Sequence, residues 1–206
     1  MSSSTATVFV VDDELSVRQS LSHLLRAAGL NVATFASAQA FLESYDPSVP
    51  GCLVLDLAMP GLNGLELQEA LAARGSGLPI IFLSGQGDLP SGVKAMKRGA
   101  VDFLGKPADA ADLIPAVRSA IEKDRLARRV DAELTEIRRR LASLTPREYE
   151  VLCHVVSGKL NKQIAADLGT VEKTVKVHRA RVMEKVKAAS LAELVRIAQR
   201  AGIQPL

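Results

Sequence analysis

Cys52-Leu53-Val54-Leu55-Asp56 is the stretch on which the fold turns, four apolar residues in a row ending on a carboxylate. Four residues without polar alternation are too short for a helix and fit a strand buried on both faces of a parallel sheet. Reading outward, the same construction recurs at Thr7–Val11, Val32–Phe35, Ile80–Leu83 and Val101–Leu104, each rich in Val, Ile, Leu or Phe. The segments between them have helical spacing. Val17, Leu21, Leu24 and Leu25 form one apolar stripe closed by Gly29, and Gly64–Ala73 and Leu89–Arg98 repeat the pattern, the latter closed by Gly99. Strands alternating with helices imply right-handed crossovers, and hence an α/β doubly wound fold with a five-stranded parallel sheet covered by helices on both faces.

Ligands of an open parallel sheet collect outside the carboxyl ends of its strands. Here Asp12, Asp13 and Glu14 follow the first strand, Asp56 ends the third, Ser84 ends the fourth and Lys106 follows the fifth. One strand-end Asp would be read as a helix cap. Four strand ends supplying Asp-Asp, Asp, Ser and Lys in that order point to a site. Carboxylates gathered at buried strand ends need a cation, and Mg²⁺ suits one or two carboxylates, a backbone oxygen, water and phosphate. The chemistry this permits is phosphoryl transfer to Asp56 as nucleophile. Mg²⁺ on Asp13 and Asp56 would neutralise the transferring group, while the Lys106 ammonium and the Ser84 hydroxyl would each meet a phosphoryl oxygen.

The chain has 206 residues, enough for one large domain or two ordinary ones. Hydrophobic residues make up 48% and charged residues 24%, a globular composition, and aromatics only 3%, so the core must be aliphatic. No basic-then-apolar leader and no apolar run near membrane-spanning length stand in the sequence, so a cytoplasmic protein with no membrane partner is expected. Cys52 and Cys153 lie far apart in apolar surroundings and read as reduced core residues. The net charge of +3 conceals an asymmetry. Residues 1–120 carry 8 Lys and Arg against 12 Asp and Glu, and residues 121–206 carry 18 against 11. An acidic first part and a basic second part suggest two jobs, the second facing a polyanion.

From about Asp109 to about Leu141 one highly charged helix is predicted, with Pro115 near its start. Val130, Leu134, Ile137, Leu141 and Leu144 follow 4-3-4-3 spacing, a heptad seam of about two repeats. Two readings stay open: a linker helix packing on its own chain, and pairing between chains. Beyond it four short helices are predicted. Thr145-Pro146-Arg147-Glu148 and Ser190-Leu191-Ala192-Glu193 are capping boxes opening the first and the last. Between them, Asn161–Leu168, a turn at Gly169-Thr170, and Val171–Val186 fit a helix-turn-helix. On its second helix Val175, Val182 and Val186 share a packing face, while Lys173, Lys176, Arg179 and Lys187 lie largely away from it, with Thr174, Val177 and Ala180 interleaved. Arg181 adds a further cation to this surface. Such a face offers cations to phosphates and a few side chains to base edges of double-stranded DNA. Charge alone would describe any solvated basic helix; the helix order and the turn glycine favour DNA.

The motifs Val10-Val11-Asp12-Asp13-Glu14, Leu53-Val54-Leu55-Asp56-Leu57-Ala58-Met59-Pro60-Gly61, Leu83-Ser84-Gly85 and Gly105-Lys106-Pro107 resemble the receiver domain of two-component signalling. That resemblance implies Mg²⁺ held by Asp12, Asp13, Asp56 and the Ala58 backbone carbonyl, and a cis Lys106–Pro107 bond. It also implies a two-state switch in which Ser84 moves toward the phosphoryl group and Phe103 turns inward. Ala108 departs from the family, which often has an aromatic there. Leu144-Thr145-Pro146-Arg147-Glu148, Asn161-Lys162-Gln163-Ile164-Ala165, Thr174-Val175-Lys176-Val177-His178-Arg179 and Ser190-Leu191-Ala192-Glu193-Leu194 are similar to the output domain of LuxR/NarL-type regulators, FixJ-like ones in particular. The likeness implies that Lys176, Val177 and Ala180 face bases, and that dimers form through the last helix. His178 is read as a backbone-contacting or packing residue, and His23 and His154 as ordinary helix residues.

The expected organisation is a receiver at 1–119, a helical linker at 120–141 and a DNA-binding domain at 142–206. The expected partners are a sensor histidine kinase, double-stranded DNA, a second copy of the chain on activation, and RNA polymerase. The expected function is a phosphorylation-controlled DNA-binding regulator, an activator by analogy, catalysing only its own phosphoryl transfer and dephosphorylation. One alternative is a Mg²⁺-dependent phosphohydrolase, which typically needs a second Asp where Ala58 stands and would not explain the helix-turn-helix. Another is a DNA-binding protein indifferent to phosphorylation, against which the intact Asp12, Asp13, Asp56, Ser84 and Lys106 set weighs. A nucleotide-binding module is disfavoured because no glycine-rich loop follows the first strand.

Overall fold

A computed structural model describes residues 6–85 and 89–203. The chain forms two compact units, Met1–Arg128 and Arg129–Leu206, each with its own core.

The first unit is built on strands β1 (Thr7–Val11), β2 (Asn31–Phe35), β3 (Gly51–Asp56), β4 (Ile80–Ser84) and β5 (Asp102–Gly105). All pair in parallel, in the order β2-β1-β3-β4-β5. The strand order reverses between β1 and β3, which is where such sheets place their sites. The connecting helices are α1 (Leu15–Ala27), α2 (Ala38–Ser44), α3 (Gly64–Ala73) and α4 (Leu89–Lys97), with α5 (Ala110–Ala142) following β5. Because successive strand residues point to opposite faces, the sheet has two separate cores. On one face Phe9, Val11, Leu53, Leu55 and Phe82 meet Phe41 of α2, Leu67 and Leu71 of α3, and Ala95 of α4. On the other Val8, Val10, Cys52, Val54, Ile81 and Leu83 meet Leu21 and Leu25 of α1, and Leu113, Val117 and Ile121 of α5. Every residue of β3 is buried, as its uninterrupted apolar run predicts. The scarce aromatics gather on the first face, where the Phe41 ring lies edge-on to Phe9 and Phe35 and is stacked on Tyr45.

At the end of the sheet away from the strand carboxyl termini, Asp124 of α5 is buried and accepts from the Gly51 N–H at 2.9 Å. It also holds the Arg128 guanidinium at 2.7 Å, which in turn donates to the carbonyls of Pro47, Ser48 and Val49. This clamp fixes α5 against the entry to β3.

The second unit takes the last part of α5 together with α6 (Pro146–Val156), α7 (Asn161–Asp167), α8 (Glu172–Val186) and α9 (Leu191–Arg200). Ile137 and Leu141 of the heptad seam are buried among Val151, Leu152, Ile164, Val175, Val182 and Leu194, with Leu144 packed against them. For that half of the seam, packing on its own chain is the reading the structure supports; Val130 stays 47% exposed. Thr145 and Glu148 make a reciprocal capping box at α6. At α9 the Ser190 hydroxyl accepts from the Glu193 N–H, but the Glu193 carboxylate reaches back to the N–H of Ala189, one residue beyond the N-cap of the predicted box.

Candidate functional site

The strand-end residues do converge. Asp12 and Asp56 are buried at 1% and 5% exposure, one directly after β1 and the other closing the neighbouring β3, and Asp13 is exposed beside them. One carboxylate oxygen from each of the three lies within 4.8 Å of the others. The Lys106 ammonium bridges two of them, 2.7 Å from Asp12 Oδ2 and 2.9 Å from Asp56 Oδ1. Its backbone N–H donates to the Ser84 carbonyl at 2.7 Å, which fixes the turn that delivers it. The Lys106–Pro107 peptide bond is cis, as the resemblance implied.

Burial pushes the Asp56 carboxyl above the usual carboxylate range, with Asp12 adding to the shift, and Lys106 and the Ala58 N–H offset part of it. Burial also works against the Lys106 ammonium, but its hydrogen bonds to Asp12 and Asp56 outweigh this and hold its pKa above the ordinary value. The site is thus a nucleophile-sized carboxylate held beside a fixed cation. Three hard oxygen donors this close together also fit a divalent cation of the Mg²⁺ type, since one ammonium against three carboxylates leaves the cluster a net anion.

Local sequence sets this geometry. Asn63 and Glu66 form a capping box that starts α3, and the Gly64 N–H donates to the Leu57 carbonyl at 3.0 Å, closing the loop after Asp56. A Cβ at Gly64 would run into the Asp56 carbonyl, so only glycine fits. Across the site Ser84 is 4% exposed, and its hydroxyl donates to the Gly85 carbonyl at 3.2 Å. Phe103 is half-buried, its ring 6.5 Å from that of Phe82 and against Gly92 of α4, where an added Cβ would stand 3.2 Å from the ring. Sequence reasoning missed Arg18, whose guanidinium donates to the Asp12 carbonyl at 2.7 Å from the first turns of α1 and pins the acidic turn.

In the second unit α7 and α8 are joined by a turn in which Gly169 has φ +60° and the Thr170 N–H donates to the Ala165 carbonyl at 2.9 Å. Val175, Val182 and Val186 of α8 are buried. Lys173, Lys176, Val177, Ala180, Arg181 and Lys187 are exposed, and Thr174 is half-buried at the margin. Val177 is 45% exposed on this face. Lys176 pairs with Glu172 at 3.2 Å, and Lys187 ends the helix in the left-handed conformation at φ +58°. Arg179 departs from the expectation. By helical geometry it lies only about 40° around α8 from the buried Val175. It is half-buried, with its guanidinium turned to Asn161 Oδ1 at 2.9 Å. The pair that aims α8 was also missed. Glu148, 2% exposed, holds the Lys185 ammonium at 2.6 Å, which draws the Glu148 carboxyl down to about 2, with the Thr145 N–H as a further cause.

Residues 8–118 match the family described as response regulator receiver domain, and residues 142–198 match bacterial regulatory proteins, luxR family. Nodulation protein W of Bradyrhizobium diazoefficiens is 47% identical over 98% of this chain and 88% of its own length. The transcriptional regulatory protein FixJ of Azorhizobium caulinodans is 48% identical over 96% of this chain and 94% of its own. The solved structure of the response regulator StyR superimposes with a TM-score of 0.88 at 45% identity, covering 95% of this chain and 99% of that one. With receiver and LuxR-type patterns both matched in order, and full-length relatives well above 40% identity, the chain belongs to the LuxR/NarL-type response regulators of two-component systems.

Proposed function

We infer that Asp56 is the phosphoacceptor and that its phosphorylation by a sensor histidine kinase controls DNA binding by α8. The observation that carries this reading is the Lys106 ammonium lying within 2.9 Å of both Asp12 and Asp56 at the carboxyl ends of β1 and β3. Asp56 Oδ attacks the phosphorus, the bond to the donor's leaving group breaks, and that group departs with its electron pair. Lys106, already fixed at Asp56, meets a phosphoryl oxygen, and the Ser84 hydroxyl gives up the Gly85 carbonyl to donate to another. Asp12, Asp13, Asp56 and the Ala58 carbonyl would hold Mg²⁺, which supplies charge neutralisation on the transferring group. Phe103 follows Ser84 inward, biasing the receiver to its active state. The functional division is receiver 1–119, linker 120–141 and DNA-binding domain 142–206.

Lys173, Lys176, Arg181 and Lys187 would face phosphates and base edges, Arg179 the phosphates, and Thr174, Val177 and Ala180 the groove, with Val177 against a thymine methyl. Activation brings two copies together on half-sites and engages RNA polymerase in the cytoplasm; no helix among the described residues is long and apolar enough to cross a membrane. The protein catalyses no reaction but its own phosphoryl transfer and dephosphorylation. The test is intact mass after incubation with a small acyl phosphate and Mg²⁺. A gain of one phosphoryl group in wild type and none in Asp56→Asn supports the assignment; labelling of the variant at the wild-type rate removes it.

A further inference from the structure

Arg179 is the one α8 cation among those named above that is drawn toward α7. Among the described residues its partner is a neutral amide oxygen, Asn161 Oδ1 at 2.9 Å, and no carboxylate pairs with it. Lys176 and Lys185 of the same helix each have a carboxylate. A half-buried guanidinium tied to a neutral acceptor keeps its full charge and loses its freedom to wander. Asn161 opens α7, the first helix of the helix-turn-helix, and in such motifs that helix crosses the nucleic-acid backbone while the second enters the major groove. By helical geometry the groove-facing residues Lys173, Lys176, Val177 and Ala180 lie roughly 100–200° around α8 from Val175, whereas Arg179 lies about 40° from it. Its guanidinium therefore faces the rim where phosphates pass and cannot reach the base edges.

We propose that Asn161 is a positioning residue that holds Arg179 as a preformed phosphate clamp, so that Arg179 contributes affinity for any sequence and Lys176 and Val177 carry the sequence preference. This rests on the DNA-binding reading of α8. A neutral acceptor is required for the role, because a carboxylate at position 161 would hold the guanidinium equally well and cancel its charge.

The test is a double-mutant cycle in the full-length protein, Asn161→Ala, Arg179→Ala and both together. Binding to a fluorescent mixed-sequence duplex is read by anisotropy over a range of salt, with thermal unfolding of each variant alongside. Arg179→Ala is expected to flatten the dependence of log affinity on log salt by about 0.9, the value of one phosphate contact. Asn161→Ala should weaken binding roughly three- to tenfold at low salt, in line with loss of a fixed charge-assisted contact, and should change nothing further once Arg179 is gone. An equal loss from Asn161→Ala in both backgrounds, or none in either, overturns the proposal. Wild-type protein that fails to bind the duplex overturns the DNA-binding reading as well. Should Asn161→Ala lower the melting temperature enough to blur the comparison, Asn161→Ser and Arg179→Lys carry the same cycle with smaller perturbations.

Discussion

Replacing Glu148 with glutamine removes the carboxylate that ties the cap of α6 to the recognition helix α8. Glu148 is 2% exposed, 2.6 Å from the Lys185 ammonium, and accepts from the Thr145 N–H at 2.8 Å. These contacts lower its pKa from 4.5 to about 2, with Lys185 the largest cause. At 1.36 kcal/mol for each pH unit, that shift is worth about 3 kcal/mol to the folded state. The Lys185 side chain is 34% exposed, so solvent screening reduces the figure to about 2 kcal/mol, and the freed ammonium returns to water instead of being stranded. Because the folded pKa is depressed, the contribution is complete above about pH 4.5 and disappears as the pH falls toward 2. Urea unfolding of the full chain, with hydrogen exchange of α6 and α8 amides identifying the transition, should place Glu148→Gln about 2 kcal/mol below wild type at pH 7. The gap should shrink to roughly a quarter of that near pH 2.5. A gap below about 0.5 kcal/mol at pH 7, or one of the same size at both pH values, would refute an ionic origin.

Three further perturbations follow from the geometry. Gly64→Ala drives a methyl group into the Asp56 carbonyl, and should destabilise the receiver by about 1–3 kcal/mol and slow labelling by a small acyl phosphate; unchanged melting and labelling would contradict the close approach. Lys187→Gly relieves the only positive φ among described non-glycine residues, and should stabilise the second unit by roughly 0.5–1 kcal/mol while weakening DNA binding through the lost cation, two opposite signs measured on one variant. Mg²⁺ at about a hundred times its dissociation constant should stabilise the receiver by about 2.7 kcal/mol, and Asp13→Asn should abolish most of that gain; an equal rise in the variant would place the ion elsewhere.

The receiver was legible because its signals are local. Buried parallel strands must be uninterrupted apolar runs, and each run ends where the site begins, so Asp12, Asp56, Ser84 and Lys106 could be located before their distances were known. The helix-turn-helix was legible from Gly169 and the spacing of Val175, Val182 and Val186. What escaped the sequence are hydrogen bonds between groups far apart in the chain, which leave no periodic trace. Arg128 reaches carbonyls about eighty residues away, Lys185 meets Glu148 across two helices, and Arg18 bonds a backbone atom that has no side-chain identity. Arg179 was placed with the groove-facing cations because charge and helical spacing alone do not reveal that a long side chain folds back to Asn161.

The proposed regulation rests on one coupling, between the carboxylate at the end of β3 and the basic face of α8. The direct measurement is DNA affinity of the full chain with and without a small acyl phosphate and Mg²⁺, in wild type and in Asp56→Asn. A linked switch predicts tighter, salt-sensitive binding by wild type on phosphorylation, by at least about fivefold, and no change in the variant. Equal affinity in all four conditions, with wild type shown by mass to be phosphorylated, would contradict the switch and leave α8 a DNA-binding element indifferent to Asp56.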